Sequence, residues 1–173
     1  MEKSLSSKHY KWFEKAGLIA QESDMLFKLG CVATYSGKYI ASGCNNHNCY
    51  SKHDNFCDFT CSCHAEINVI RKCLKLLGEQ KMKKVNLYVA RIDNQNNFQN
   101  SAPCYQCLQQ IKRFKIKNII FKDDLCIKIM NPLNYNTEHK TFGYYYLKRS
   151  LDQKINNNNN NNNQNKSNKN SLK

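Results

Sequence analysis

Two short stretches decide how this chain folds: His64-Ala65-Glu66 and Pro103-Cys104-Tyr105-Gln106-Cys107. Each stands at the predicted start of an amphipathic helix. The first helix has an apolar stripe and a terminating glycine, which are Ile67, Ile70, Leu74, Leu77 and Gly78. The second helix turns Leu108, Ile111 and Phe114 inward. Histidine, cysteine and carboxylate side chains are therefore expected at two helix N-termini.

Helices and strands alternate on either side of these stretches. Apolar spacing predicts a helix over residues 9–21, and alternating patterns predict strands over residues 30–35, 39–43, 85–90, 118–121 and 125–130. Residues 93–101 are polar and predict a loop. The resulting order α, β, β, α, β, α, β, β predicts a mixed sheet covered by helices.

The residue types in the two stretches are those of a catalytic zinc centre. Such a zinc takes three protein ligands and leaves a fourth position for water. Cys104 and Cys107 are three residues apart at a helix start, so their thiols face the same way. His64 can complete the set from the other helix, and Pro103 is well placed to start the second one. The two helix N-termini offset the negative charge of the thiolates.

Glu66 lies two residues after the histidine and suits proton transfer at the metal-bound water rather than ligation. The alternative is a closed structural zinc site in which Glu66 merely favours the helix N-terminus. The joint occurrence of H-x-E and P-C-x-x-C, each at a predicted helix start, favours the catalytic interpretation.

This pair of motifs resembles the signature of the cytidine and deoxycytidylate deaminase superfamily, over about residues 10–130. Gly43-Cys44-Asn45 is similar to the family's G-x-N segment. The resemblance implies a three-layer α/β/α fold with a five-stranded mixed sheet. It also implies attack of zinc-activated water on C4 of a cytosine, with Glu66 moving protons. Asn45 would contact the sugar, and the Ala65 backbone N–H the base carbonyl; the alternative for Asn45 is a turn residue.

The residues before each cysteine bear on the substrate. Polynucleotide cytidine deaminases usually carry Trp-Ser-Pro-Cys, and tRNA adenosine deaminases an acidic residue before the proline and Met before the second cysteine. This chain has Ala102 and Gln106 at the latter two positions, and its single Trp is Trp12. These departures favour a free nucleoside or nucleotide, with deoxycytidylate or cytidylate ahead of the nucleoside. Arg91 is a candidate phosphate contact, with an exposed strand-end charge as the alternative. An RNA- or DNA-editing enzyme and an inactive zinc-binding module are the competing hypotheses.

The charge of the chain bears on its partners. With 27 Lys and Arg against 13 Asp and Glu in 173 residues, the net charge is +14. Such a surplus attracts nucleic acid or free nucleotides, although a solvated lysine-rich surface is the alternative. We expect a nucleotide substrate, nucleic acid as a less favoured partner, and a homo-oligomer.

The segment before His64 is rich in soft metal ligands, which are Cys44, His47, Cys49, His53, Cys57, Cys61 and Cys63. Four of them could close a second, structural zinc site in a loop with few apolar residues. The alternative is a set of unligated thiols. Cys31, Cys73 and Cys126 lie in predicted core elements and are expected to pack there.

The two ends of the chain differ from its middle. The first eleven residues are polar, and no apolar run approaches the ~20 residues of a membrane span, so we expect no membrane partner. Ten cysteines without a secretory signal favour a reducing, cytoplasmic location. Residues 1–150 are expected to form the zinc deaminase domain, and residues 151–173, with their asparagine run, a disordered tail. The aromatic residues 142–146 are expected to pack on the sheet, with base stacking as the alternative.

Overall fold

The computed structural model describes residues 5–47, 62–146, 148–149 and 152–153. The helices and strands are α1 (Ser7–Ala20), β1 (Lys28–Tyr35), β2 (Lys38–Cys44), α2 (Ala65–Leu77), β3 (Val85–Ile92), β4 (Phe98–Gln99), α3 (Tyr105–Arg113), β5 (Asn118–Lys122) and β6 (Ile127–Met130). Short 3₁₀ helices occupy Glu79–Lys84 and Pro132–Asn134. Within the described part of the chain, no helix has the length and apolarity needed to cross a membrane.

The chain divides into two compact units, Met1–Lys140 and Thr141–Lys173. All the named elements belong to the first unit. In the second unit, residues 142–146 are helical, and their expected packing on the sheet stays a prediction. Residues 154–173, which form most of the expected disordered tail, lie outside the described residues.

The strands form one mixed sheet in the order β2-β1-β3-β5-β6, with β4 paired to β3. The β3–β5 pair is parallel and the other pairs are antiparallel. This confirms the predicted mixed sheet and its five strands.

Two strand predictions need correction. The predicted loop 93–101 contains β4, because the Asp93 carboxylate accepts the N–H groups of Gln95 and Asn97 at 2.9 Å and turns the chain back along β3. The predicted strand 125–130 starts two residues later, at Ile127. There the Asp123 carboxylate accepts the N–H groups of residues 125 and 126, which holds both in a turn. The hydrogen bond from the Cys126 N–H is the largest cause that lowers the pKa of Asp123, to about 2. Hydrogen bonds from the Lys128 ammonium and the Leu125 N–H also lower it.

Helices cover both faces of the sheet, as the three-layer fold requires. On one face α1 packs against β1, β3 and β5 through Phe13, Ala16, Val32, Tyr88, Ala90 and Ile120. On the other face α2 and α3 bury alternate residues of the same strands, including Cys31, Ala33, Ile70, Leu87, Val89, Leu108 and Ile111. Cys31 and Cys73 are buried there, as predicted, whereas Cys126 is half-buried and lies outside any strand.

One glycine is required by this packing and another by its backbone conformation. A Cβ on Gly30 would lie 2.1 Å from the Ala16 carbonyl oxygen, so only glycine lets α1 approach β1 this closely. Gly78 has φ +73° and ends α2 at the position predicted from its sequence.

The strand directions bring several loops to one edge of the sheet. Parallel strands β3 and β5 end at the same edge, where β2 also ends, because β1 is antiparallel to both β2 and β3. The segments that follow these strands converge with the N-termini of α2 and α3. The candidate site lies at this convergence.

Candidate active site

The side chains of His64, Cys104 and Cys107 meet between two helix N-termini. Their ligand atoms all lie within 4.8 Å of one another, and theirs is the one such group of three in the described part of the chain. The His64 Nδ1 atom lies 3.2 Å from the Cys107 sulfur and 3.5 Å from the Cys104 sulfur. Three neighbouring N and S donors are the set that a single zinc ion prefers, so the cluster fits one zinc.

Local backbone structure explains how these side chains converge. His64 is the N-cap of α2 and Cys104 the N-cap of α3, and both residues have extended backbone angles. Neither side chain caps its own helix by a hydrogen bond, so both are free to turn toward each other. Cys107 follows one turn into α3. Pro103 lies one residue before the N-cap, rather than at the first helical position that its sequence suggested.

The electrostatics of the cluster favour its thiolate form. A hydrogen bond from Cys107 lowers the pKa of Cys104, and the hydrogen bond and charge of His64 lower it further. Burial opposes this effect, and the resulting pKa is about 4. Burial opposes a charged His64, but the hydrogen bond and charge of Cys104 raise the pKa of that imidazole to about 9. Zinc binds thiolate and neutral imidazole, so zinc uptake would release the His64 proton.

Glu66 is buried in the first turn of α2, with only 2% of its surface exposed. Burial raises the pKa of its carboxyl group, and the charge of His64 and a hydrogen bond from Cys107 oppose that rise. One of its carboxylate oxygens has no hydrogen-bond partner among the described residues. An unsatisfied buried carboxylate oxygen is costly to the fold, which is typical of a group retained for chemistry.

Asn45 lies at the end of β2 and is nearly buried. Its Oδ1 accepts the Leu29 N–H at 2.9 Å, and its Nδ2 donates to the Phe27 carbonyl at 2.7 Å. The side chain therefore fixes the segment that enters β1. Ala65 is the first residue of α2, a position whose N–H finds no acceptor within the helix and can donate outside it.

Arg91 lies near the end of β3, opposite Leu29 of β1. Its guanidinium carbon is 4.6 Å from the centre of the Phe27 ring. Because Asn45 binds the carbonyl of the same Phe27, the structure groups Asn45, Phe27 and Arg91. Phe27, which is 57% exposed, was not among the predicted site residues, since it belongs to a short apolar run, Met25-Leu26-Phe27, between the first predicted helix and strand.

The sequence profile described as "Cytidine and deoxycytidylate deaminase zinc-binding region" matches residues 6–123, which is more than half of the chain. The chain belongs to this family. The resemblance carried by the two motifs is thereby confirmed, and the zinc-binding region of the profile contains all three members of the cluster.

A solved structure shares the fold of this deaminase family member, and two others are similar in part. A cytidine deaminase from Burkholderia pseudomallei is 16% identical, with a TM-score of 0.55 over 76% of this chain and 98% of that chain. A dCMP deaminase from the cyanophage S-TIM5 is 21% identical, with a TM-score of 0.47 over 66% and 82%. A structure from work on tRNA:A34 deaminases is 23% identical, with a TM-score of 0.46 over 65% and 75%. No curated protein sequence matches the chain.

Ser101 is a site residue of the deaminase domain that the sequence did not reveal. It is 2% exposed, and its hydroxyl donates to the Val89 carbonyl at 2.7 Å and accepts the Lys122 N–H at 3.0 Å. Its own N–H donates to the Lys122 carbonyl. Ser101 thus joins the ends of β3 and β5 three residues before Cys104. In the sequence it is one polar residue of a polar loop, which gives no signal of burial.

Of the seven candidate ligands for a second zinc, Cys49, His53, Cys57 and Cys61 lie outside the described residues. Cys44, His47 and Cys63 are described and belong to no group of three metal ligands in that part of the chain. Cys63 pairs with Asn46 through two backbone hydrogen bonds, and its sulfur accepts a hydrogen bond from Arg71 at 3.4 Å.

Proposed function

We propose that this deaminase family member hydrolyses a cytosine nucleotide, deoxycytidylate or cytidylate, to the uracil nucleotide and ammonia. The observation that carries the proposal is the buried Glu66, whose carboxylate has an unpartnered oxygen beside the cluster of His64, Cys104 and Cys107. A purely structural metal site has no use for such a carboxylate.

In this proposal His64, Cys104 and Cys107 hold the metal, and Glu66 moves protons. A zinc ion bound there supplies a Lewis acid that activates water. Glu66 accepts a proton from the water that attacks C4 and delivers it to N3 of the ring. It then passes the proton of the new C4 hydroxyl group to the amino group, so that the C4–N bond breaks, ammonia leaves and C4 becomes a carbonyl. The raised pKa of Glu66 suits a group that must both accept and return a proton near neutral pH.

The substrate contacts are proposed from the grouping of Asn45, Phe27 and Arg91. Oδ1 of Asn45 uses one of its two lone pairs on Leu29, and the other is available to a sugar hydroxyl. Arg91 rests on the Phe27 ring, which orders its guanidinium group for a phosphate. The Ala65 N–H is proposed to donate to the base carbonyl. Ala102 and Gln106 support a free nucleotide over a polynucleotide, as the sequence comparison of motifs indicated.

The test is Glu66→Gln, assayed by ammonia release from deoxycytidylate, cytidylate, the two nucleosides and a cytosine-containing oligonucleotide. Glutamine keeps the size of the side chain but cannot accept and return a proton. Turnover should fall by about 10²–10⁴, with zinc content and melting temperature near wild type. The matched control is Glu79→Gln, which removes an exposed carboxylate from the start of a 3₁₀ helix and should leave turnover unchanged. Near-wild-type turnover of Glu66→Gln would falsify the mechanism.

A second zinc within residues 44–63 is a separate proposal, supported by the density of cysteine and histidine there. Metal analysis of the purified protein should then return close to two zinc ions per chain. A stoichiometry of one would remove this proposal and leave the catalytic one standing. We also propose a homo-oligomer, a cytoplasmic location, and a domain that ends near residue 150.

A further inference from the structure

The outer face of α1 carries a row of lysines that the proposed reaction does not use. Lys8, Lys11 and Lys15 recur at spacings of three and four residues, so they share one side of the helix. Phe13 and Ala16 on the opposite side are fully buried against the sheet. Seven helical steps separate Lys8 from Lys15, which is about 10 Å along a helix.

Two aromatic rings border this row on its β2 side. Trp12 of α1 and Tyr39 of β2 stack with their ring centres 6.4 Å apart and 29° between their planes. The Lys15 ammonium lies 4.3 Å from the centre of the Tyr39 ring and 5.8 Å from that of Trp12. Tyr39 is 43% exposed, so part of its ring remains open to solvent.

The positive charge of this region exceeds the negative charge on the same helix, since Glu14 is the one acidic residue of α1. The Lys8 ammonium lies against Gly37, 2.5 Å from where a Cβ on that glycine would be. The positive charge of the row therefore continues to Lys38, the residue after Gly37. No ion pair joins any of these lysines to a carboxylate of the described residues. We call the region the α1–β2 surface, defined by Lys8, Lys11, Lys15, Lys38, Trp12 and Tyr39.

The α1–β2 surface is separate from the candidate active site. Helix α1 covers one face of the sheet, while α2 and α3, which carry His64 and Cys104, cover the other. Tyr39 and Lys38 lie at the start of β2, whereas the site lies at the edge where β2 ends. A ligand on this surface would therefore leave the reaction centre open.

We propose that the α1–β2 surface binds single-stranded nucleic acid, with backbone phosphates on the lysines and a base on the exposed tyrosine ring. The three lysines of the row offer up to about three phosphate contacts to one strand. An aromatic ring flanked by cations is the arrangement by which proteins bind unpaired bases without sequence preference. A duplex would satisfy the lysines but would offer no unpaired base to Tyr39.

Binding is measured by fluorescence anisotropy of a labelled oligothymidylate of about 15 nucleotides, over about 50 to 200 mM salt. The probe contains no cytosine, so it is not a substrate of the proposed reaction, and the full chain with its metal is used. The triple variant K8Q/K11Q/K15Q should weaken binding about tenfold or more and reduce the salt slope by about 2. K81Q/K83Q/K84Q is the matched control, since it removes the same charge from exposed lysines of a 3₁₀ helix.

The aromatic part of the proposal has its own pair of variants. Tyr39→Ser should weaken binding about fivefold or more without changing the salt slope, while Tyr39→Phe keeps the ring and the affinity. Turnover of a mononucleotide should be unchanged in all of these variants. Equal losses in the two lysine triples would overturn the proposal in favour of general charge attraction. Binding to phosphatidylserine vesicles without binding to the oligonucleotide would overturn it in favour of a lipid surface.

Discussion

Ser101→Ala removes one buried hydroxyl that lies close to the proposed metal ligand Cys104. The hydroxyl makes two hydrogen bonds, to the Val89 carbonyl and from the Lys122 N–H. Alanine leaves both backbone groups without that partner at a position that is 2% exposed. Each unsatisfied buried group costs about 1–3 kcal/mol, so the free energy of unfolding should fall by about 2–6 kcal/mol in total.

The same change should weaken zinc binding. Without the two hydrogen bonds of the hydroxyl, the segment that carries Cys104 is held less firmly against the ends of β3 and β5. We expect zinc affinity, measured by competition with a chromophoric chelator, to fall about tenfold, as is usual for groups that position a ligand. Ser101→Thr keeps the hydroxyl and should recover part of the affinity.

The control is Ser23→Ala. Ser23 is also buried, at 5% exposure, and its hydroxyl also makes two hydrogen bonds, to the Asn45 carbonyl and from the Met25 N–H. It should lower the free energy of unfolding by a similar amount and leave zinc affinity unchanged. If Ser101→Ala lowers stability while zinc affinity stays at the wild-type value, Ser101 only joins strands, and the positioning argument is refuted.

Three further predictions follow from the packing and the cluster. Cys104→Ala or Cys107→Ala should lose the bound zinc on elemental analysis, because two ligands do not hold it, and full occupancy in both would exclude the site. Gly30→Ala should sharply lower the melting temperature, because its Cβ would overlap the Ala16 carbonyl oxygen, and a wild-type melting curve would contradict that contact. Truncation after Ser150 should leave zinc content and melting temperature unchanged, since residues 151–173 carry few apolar side chains; a large drop would refute the domain boundary.

The sequence predicted those parts of the molecule that short-range patterns determine. Helix α2 and its stop at Gly78 followed from apolar spacing and one glycine, and both are present. The grouping of His64 with Cys104 followed from the known ligand demands of zinc rather than from any local pattern. That inference succeeded because two specific motifs, 40 residues apart, each stood at a helix start.

Other features depended on contacts that no local pattern encodes. The Asp93 carboxylate accepts backbone N–H groups in the turn before β4, and the Asp123 carboxylate does so in the turn before β6. These hydrogen bonds favour turns at residues where the sequence pattern predicted a loop and a strand. Phe27 is part of the site only because the fold brings its ring into contact with the Arg91 guanidinium group. Ser101 is buried only because β3 and β5 end side by side.

The two N-caps of the candidate site have a topological consequence. His64 and Cys104 are separated by 40 residues, a stretch that contains α2, β3 and β4. A metal ion bound by these two side chains would act as a reversible cross-link that closes the stretch into a ring. By the chain-entropy relation for such closures, a ring of this length restricts the unfolded chain by about 4 kcal/mol. A metal at the candidate site would thus also tie together the two ends of the segment that supplies β3, the central strand of the sheet.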